Sequence, residues 1–148
     1  MKTYAAKKQD GSIYIIHCDG SPENFLQDPE NDTLLNEITE ANPLPDKKYR
    51  DSWADSSGDV AVAQADIDAK DRGDKLDAIR DYRQSLLDTA DKEIFKLEDA
   101  SGDASSWRTY RQALRDITDS YKDVNGDPTS ALDAVEDIES DVSWPVAP

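Results

Sequence analysis

The sequence predicts an α+β fold, in which a small β-rich N-terminal domain of residues 1–63 is followed by a helical domain of residues 64–148. Three observations support this prediction. An Asp-Gly turn signal separates two β-prone runs near the N-terminus. From residue 66 onward, apolar residues recur mostly every three or four positions, which is the period of an amphipathic helix. The segment Tyr82 to Asp91 returns 28 residues later as Tyr110 to Asp119, with six of ten positions identical.

The first N-terminal elements are predicted from turn and stop signals. Residues 2–18 have the pattern of an antiparallel β-hairpin, whose turn contains the glycine that accepts a positive φ at low cost. Residues 33–41 are expected to form one short helix, because Leu34, Leu35 and Ile38 would share its apolar side. Two closely spaced prolines follow and would stop this helix.

A second β-hairpin is predicted later in the N-terminal domain. Residues 49–54 and 59–63 flank a turn-prone Asp-Ser-Ser-Gly stretch, and Trp53 and Val60 are the candidates for its buried face. An isolated hairpin is marginally stable in water. We therefore expect the two hairpins to form one small sheet.

The helical domain is predicted to begin with two antiparallel helices. A long helix should start at Asp66 and end at the Ser-Gly-Asp break of residues 101–103, and a second should continue to Tyr121. The short connection makes these helices an antiparallel helical hairpin. The two copies of the repeat then become its two arms, since two copies are too few for a solenoid.

A short C-terminal helix and an extended tail are predicted to complete the domain. The helix should open at Asp127 with Pro128 in its first turn, where proline is tolerated. Its apolar residues would be Leu132, Val135, Ile138 and Val142. The prolines of the last residues prevent a helix there, so Trp144 is expected to act as an extended anchor.

Composition excludes several classes of partner. The chain is 36% hydrophobic and 34% charged, with a net charge of −16. Such a field repels phosphates and anionic lipid, so neither a nucleic acid nor a membrane is expected as a partner. The sequence also lacks an apolar run of about 20 residues and a signal peptide. We therefore expect a soluble protein made in a cytoplasm.

The residue types that catalysis usually needs are scarce. Cys18 and His17 are the only cysteine and histidine, and adjacent residues of a strand point to opposite faces. No glycine-rich phosphate loop or nucleophile elbow is present. The sequence therefore predicts a protein that is not an enzyme and that has no cofactor.

One segment weakly resembles a calcium loop. Asp123, Asn125 and Asp127 supply oxygens at the first, third and fifth positions of an EF-hand-like or dockerin-like pattern. The pattern then fails, because Pro128 replaces the glycine and Ala134 replaces the closing acidic residue. A capped turn between helices is the alternative interpretation.

The C-terminal residues resemble a known family. The sequence Trp-Arg-Thr-Tyr-Arg-Gln-Ala-Leu-Arg-Asp-Ile at 107–117, followed by Val-Ser-Trp-Pro at 142–145, is similar to the C-terminal signature of tailed-bacteriophage tail fibre assembly chaperones. Residues 49–53 and the long helix also look like small tail-associated virion proteins. The resemblance implies a non-enzymatic tail protein, located in the virion tail or in the host cytoplasm during assembly.

The partner implied by the resemblance is a tail fibre or tail-tip protein, together with other virion tail subunits and a homo-oligomer as further candidates. Aromatic residues and arginine are favoured at the centres of interfaces. The apolar stripes of the two helices carry Trp107, Tyr110, Tyr82 and Phe95, which is more aromatic surface than one hairpin needs. The predicted partner-binding residues are Trp107, Tyr110, Arg111, Leu114, Tyr82, Trp144 and Pro145. The alternative is that the aromatic residues only close a small core.

Three functions stay open at this point. The first is a protein of fibre-assembly-chaperone type, either transient or retained in the virion. The second is a purely structural tail or adhesin subunit. The third is a calcium-dependent protein-binding module that uses the loop beginning at Asp123.

Overall fold

The computed structural model describes residues 1–148, which form two compact units. The N-terminal unit is Met1–Asp68 and the C-terminal unit is Ala69–Pro148. The N-terminal unit contains antiparallel strands, and the C-terminal unit contains most of a long helix and a shorter one. The predicted α+β class is confirmed.

The N-terminal hairpin forms as predicted. Strand β1 is Lys2–Lys7 and strand β2 is Ile13–Cys18, and they pair antiparallel in continuous register. Gly11 adopts φ 89° in the turn, a backbone conformation that residues with a Cβ atom rarely adopt. At the end of β2 the Cys18 side chain is buried and His17 is exposed, as the alternation along a strand requires.

The short helix predicted for residues 33–41 is wrong. Strand β3, Thr33–Glu37, pairs antiparallel with β1 and completes a three-stranded sheet of order β2-β1-β3. Leu35 packs on one face with Trp53, while Leu34 packs on the other face against Ile16. Spacing alone placed the two leucines on one helix side, but this sheet buries apolar side chains on both of its faces.

The second hairpin is shorter than predicted and forms a separate sheet. Strands β4, Ala54–Ser56, and β5, Asp59–Ala61, pair only with each other, so the expectation of one shared sheet is wrong. The residues before β4 form a 3₁₀ helix, Lys47–Ser52, rather than a strand. Trp53 and Val60 are buried in one cluster, as predicted.

Two helices dominate the C-terminal unit. Helix α1 is Gln64–Asp99 and helix α2 is Ser105–Asp116, and α2 continues as a 3₁₀ helix, Ile117–Tyr121. The main apolar cluster joins α1 to the segment that follows these helices. Its buried residues are Leu76, Ile79, Leu132, Val135 and Val142. No helix of the structure is both long and apolar enough to cross a membrane.

The predicted third α-helix is wrong. Its place is taken by a five-residue 3₁₀ helix, Ser130–Ala134, and by turns. Pro128 does not open a helix but forms an isolated antiparallel bridge with Lys122. The Asp141 carboxylate accepts the backbone N–H groups of Glu136 and Asp137, each at 2.8 Å, which competes with helical bonding. A further 3₁₀ helix, Pro22–Phe25, lies in the N-terminal unit.

Candidate partner-binding surface

The connection between α1 and α2 is a tight, fully bonded turn. The N–H of Ser101 donates to the carbonyl of Glu98, and that of Gly102 donates to Leu97 at 2.7 Å, the bond pair of a Schellman motif. Ser101 occupies the left-handed position with φ 57°. Asp103 then accepts the Ser105 N–H at 2.8 Å, and this bond is the first cause of its lowered pKa. The turn fixes the antiparallel path that brings the predicted residues together.

Several predicted partner-binding residues form the core between the helices. Leu114 is 0% exposed and Tyr110 is 7% exposed, and both pack with Ala90 of α1. Trp107 is half-buried against this cluster, with its ring 5.7 Å from that of Tyr110 in an edge-on arrangement. Burial raises the pKa of Tyr110. In the isolated chain these side chains therefore stabilise the fold.

The predicted tail anchor packs back onto α1. The rings of Trp144 and Tyr82 lie 4.8 Å apart, and the indole N–H of Trp144 donates to the Ile138 carbonyl at 2.8 Å. Trp144 contacts both apolar clusters of the unit, and Pro145 beside it is half-buried. Five of the seven predicted residues, Tyr82, Trp107, Tyr110, Leu114 and Trp144, thus belong to one packed region.

Arginines of α2 form ion pairs with carboxylates of α1. Arg111 lies against Asp91, donating from a terminal nitrogen at 3.1 Å, and Arg108 pairs with Glu98. The residue numbers run in opposite directions along the two helices, as an antiparallel hairpin requires. We call this line of pairs the seam.

An exposed aromatic side chain stands on the seam. Phe95 is 73% exposed, although it belongs to a well-formed helix. It follows Asp91 by four residues and precedes Glu98 by three, so these three side chains share one side of α1. Phe95 also lines a shallow depression with Lys92. The seam therefore combines an uncovered aromatic ring with Arg108 and Arg111.

Comparison with known families supplies the identification. A family model described as "Phage tail assembly chaperone protein" matches residues 76–148. The matched residues include most of α1, all of α2, the seam and the tail that carries Trp144. Over residues 76–148 the chain is phage tail assembly chaperone-like. Searches of curated proteins and of solved structures found no match.

The family implies a non-enzymatic role in phage tail assembly. The matched residues span about half of the chain, and they contain every predicted partner-binding residue. The hairpins of the N-terminal unit lie before the match. The resemblance read from residues 107–117 and 142–145 is thus confirmed at the level of the tail assembly chaperone family.

The candidate calcium loop is an internally bonded turn. One oxygen of Asp123 accepts the N–H groups of Asn125 and Asp127, at 2.8 and 2.9 Å. The Asp127 bond is the first cause of the lowered Asp123 pKa. No group of three or more His, Cys, Asp or Glu side chains is arranged to hold a metal ion. Calcium binding by this loop stays a prediction. The hydrogen bonds accepted by Asp123 are those of a capped turn, which was the alternative interpretation of the segment.

Sequence reasoning missed the ion pairs between the two helices. Within helix α1, Arg80 pairs with Asp77 at 2.7 Å, three residues earlier. Arg111, however, pairs across the seam with Asp91. The sequence does contain a signal for this pair. Asp91 and Arg111 lie about equally far along the chain from the Ser-Gly connection, and such positions face each other in an antiparallel hairpin.

Proposed function

We propose that this protein acts in the host cytoplasm during tail assembly, as a non-enzymatic chaperone that binds a tail fibre or tail-tip protein. The observation that carries the proposal is the family match over residues 76–148. Those residues contain the part of α1 that packs against α2, together with the tail in which Trp144 contacts Tyr82. The proposed activity therefore belongs to the C-terminal unit.

We assign partner binding to the seam around Phe95. Leu114 and Tyr110 are buried by their own chain, so a partner would have to open the hairpin to reach them. Phe95 is already exposed and needs no rearrangement. Aromatic residues, including phenylalanine, and arginine are enriched at the cores of protein interfaces. Arg111, one of the predicted residues, is the neighbour that would frame the ring.

The Phe95→Ala variant tests this assignment. The phage's tail fibre and tail-tip proteins would each be coexpressed with the chain, and the affinity of any copurifying pair measured. Truncating an aromatic residue at the centre of an interface costs about 2 kcal/mol or more, which is about thirtyfold in affinity. We expect that loss for Phe95→Ala, with unchanged helix content by circular dichroism.

Phe25→Ala is the matched control, because Phe25 is also an exposed phenylalanine, at 54%, but lies in the N-terminal unit. Its affinity should equal that of the unchanged chain. Equal affinity of Phe95→Ala and the unchanged chain for the partner would refute the assignment of partner binding to the seam. Failure of both tail proteins to bind the unchanged chain would refute the proposed partner.

The proposed chaperone role also predicts whether the protein is present in the mature particle. A chaperone that acts during assembly leaves before the virion is complete, whereas a structural subunit remains in fixed copy number. We expect mass spectrometry to detect the protein in infected cells and not in purified virions. Its presence in virions at a stoichiometry comparable with tail proteins would favour the structural alternative.

A further inference from the structure

The N-terminal unit contains a cleft with an apolar lining and a cationic rim. The cleft has a volume of about 350 Å³. Buried Trp53 and the half-buried Ile15 and Leu44 form its apolar part, while exposed Lys47 and Arg50 supply positive charge. Exposed His17 also lines it. All of these residues precede the family match, whereas the residues of the seam lie within it.

The two cations of the cleft have no carboxylate partner. Elsewhere in the same unit, Lys2 pairs with Glu37 at 2.8 Å and Lys7 pairs with Asp55 at 2.5 Å. Lys47 forms no ion pair, and the Arg50 guanidinium instead stands 5.8 Å from the centre of the Trp53 ring. In a chain of net charge −16, two unpaired cations at one cleft favour an anionic ligand.

Trp53 adds an unused hydrogen-bond donor. Its side chain is 7% exposed, and its indole N–H is buried without any partner in the protein. The large majority of buried side-chain polar atoms have a partner, so this donor calls for an explanation. Because Trp53 also lines the cleft, its indole N–H signal is a sensitive probe of a ligand bound there.

The cleft also borders an open sheet edge. Strand β2 is an outer strand of its sheet. The Lys8 N–H donates to the Ser12 carbonyl, so the even-numbered residues of β2 are the ones that form hydrogen bonds with β1. The backbone N–H and C=O groups of Ile15 and His17 therefore point away from β1. No other segment of the chain forms backbone hydrogen bonds with these two residues. An extended peptide could therefore pair with β2 beside the cleft.

We propose that this cleft binds an extended polypeptide segment that carries a carboxylate beside an apolar side chain. The peptide backbone pairs with the free edge of β2 at Ile15 and His17. The apolar side chain contacts Leu44 and Trp53, and the carboxylate lies between Lys47 and Arg50. The site lies outside the matched family residues, so the proposal does not depend on the proposed function.

Nuclear magnetic resonance of the full chain tests the site directly. The indole N–H signals of Trp107 and Trp144, in the other unit, serve as internal references, and a Trp53→Phe variant assigns the Trp53 signal. Three acetylated hexapeptides of valine, threonine and leucine are the probes. One ends in a free carboxylate, the second ends in an amide, and the third is an amide with one internal glutamate.

We expect a saturable shift of the Trp53 indole signal with at least one of the two carboxylate peptides, and about tenfold weaker binding of the plain amide. A shift with the free acid only identifies a chain terminus as the ligand, and a shift with the glutamate peptide identifies an acidic side chain. Absence of any Trp53 shift at millimolar peptide, or equal binding of the plain amide, would overturn the proposal.

Charge variants separate the cleft from the overall charge of the chain. Arg50→Gln and Lys47→Gln should each weaken binding about tenfold, because each removes a charge-assisted contact. Lys8→Gln is the matched control, since it changes the net charge equally and Lys8 does not line the cleft. Equal weakening by Lys8→Gln would overturn the proposal, as would unchanged binding by both cleft variants.

Discussion

Replacing Trp144 by alanine should destabilise the C-terminal unit by about 3 kcal/mol. Truncating a fully buried tryptophan costs about 3–5 kcal/mol, and half-buried Trp144 belongs at the lower end of that range. Within this cost, the ring pair with Tyr82 at 4.8 Å accounts for about 0.5–1.5 kcal/mol. The hydrogen bond to the Ile138 carbonyl at 2.8 Å accounts for about 1 kcal/mol.

Urea unfolding followed by the helical circular dichroism signal measures this loss, because α1 and α2 supply most of the helix in the chain. Trp144→Phe keeps a ring but removes the N–H, and should lose about 1–2 kcal/mol. Val146→Ala is the control, since Val146 is 90% exposed and its truncation should change stability by less than about 0.5 kcal/mol. A Trp144→Ala variant as stable as the unchanged chain would refute the packing argument.

Two further changes test local features of the C-terminal unit. Ser101→Gly should stabilise it by about 0.5–1 kcal/mol in urea unfolding, because glycine accepts the φ of 57° found at Ser101. Gly102→Ala, whose added Cβ would lie 3.3 Å from the Leu97 side chain and carbonyl, should destabilise it; the opposite signs would refute this reading of the turn. Backbone N–H donation, first from Asp137, lowers the pKa of Asp141 below its usual 3.8. This carboxylate therefore stabilises the fold above its unfolded pKa, and the stabilisation is lost as pH falls through the lower folded pKa. Urea midpoints should thus fall less steeply for Asp141→Asn than for the unchanged chain when pH drops below about 4, and parallel curves would contradict the assignment.

The elements fixed by local signals were predicted correctly. The hairpin of β1 and β2 follows from one Asp-Gly turn between β-prone runs, and neither feature needs distant contacts. The length of α1 follows from a sustained apolar period, and its end follows from the Ser-Gly-Asp break. These signals are local in sequence, and the tertiary packing of these elements agrees with the secondary structure that the signals favour.

The errors fall where spacing is ambiguous. Leu34, Leu35 and Ile38 fit a short helix by spacing, but β1 offers a pairing partner that no local pattern reveals. The apolar residues between Leu132 and Val142 are also helically spaced. There, aspartate carboxylates bond to nearby backbone N–H groups and close turns instead. Helix spacing is therefore weak evidence in short, Asp-rich segments.

The candidate sites were predictable only in part. The aromatic residues around Tyr110 are correctly placed together, because the repeat and the short connection imply that the two arms face each other. Which side chains are exposed could not be predicted from the sequence. The burial of Leu114 and the exposure of Phe95 depend on the rotation of each helix about its own axis. The cleft at Trp53 joins a strand to a distant 3₁₀ helix, and no motif in the sequence marks that meeting.

Deleting the gene from the phage that encodes it tests the central claim most directly, with particles examined by electron microscopy and supplied protein used for rescue. The account predicts particles with defective or missing tail structures, restored by the unchanged protein and by Phe25→Ala but not by Phe95→Ala. Normal, infectious tails in the absence of the protein would contradict a role in tail assembly.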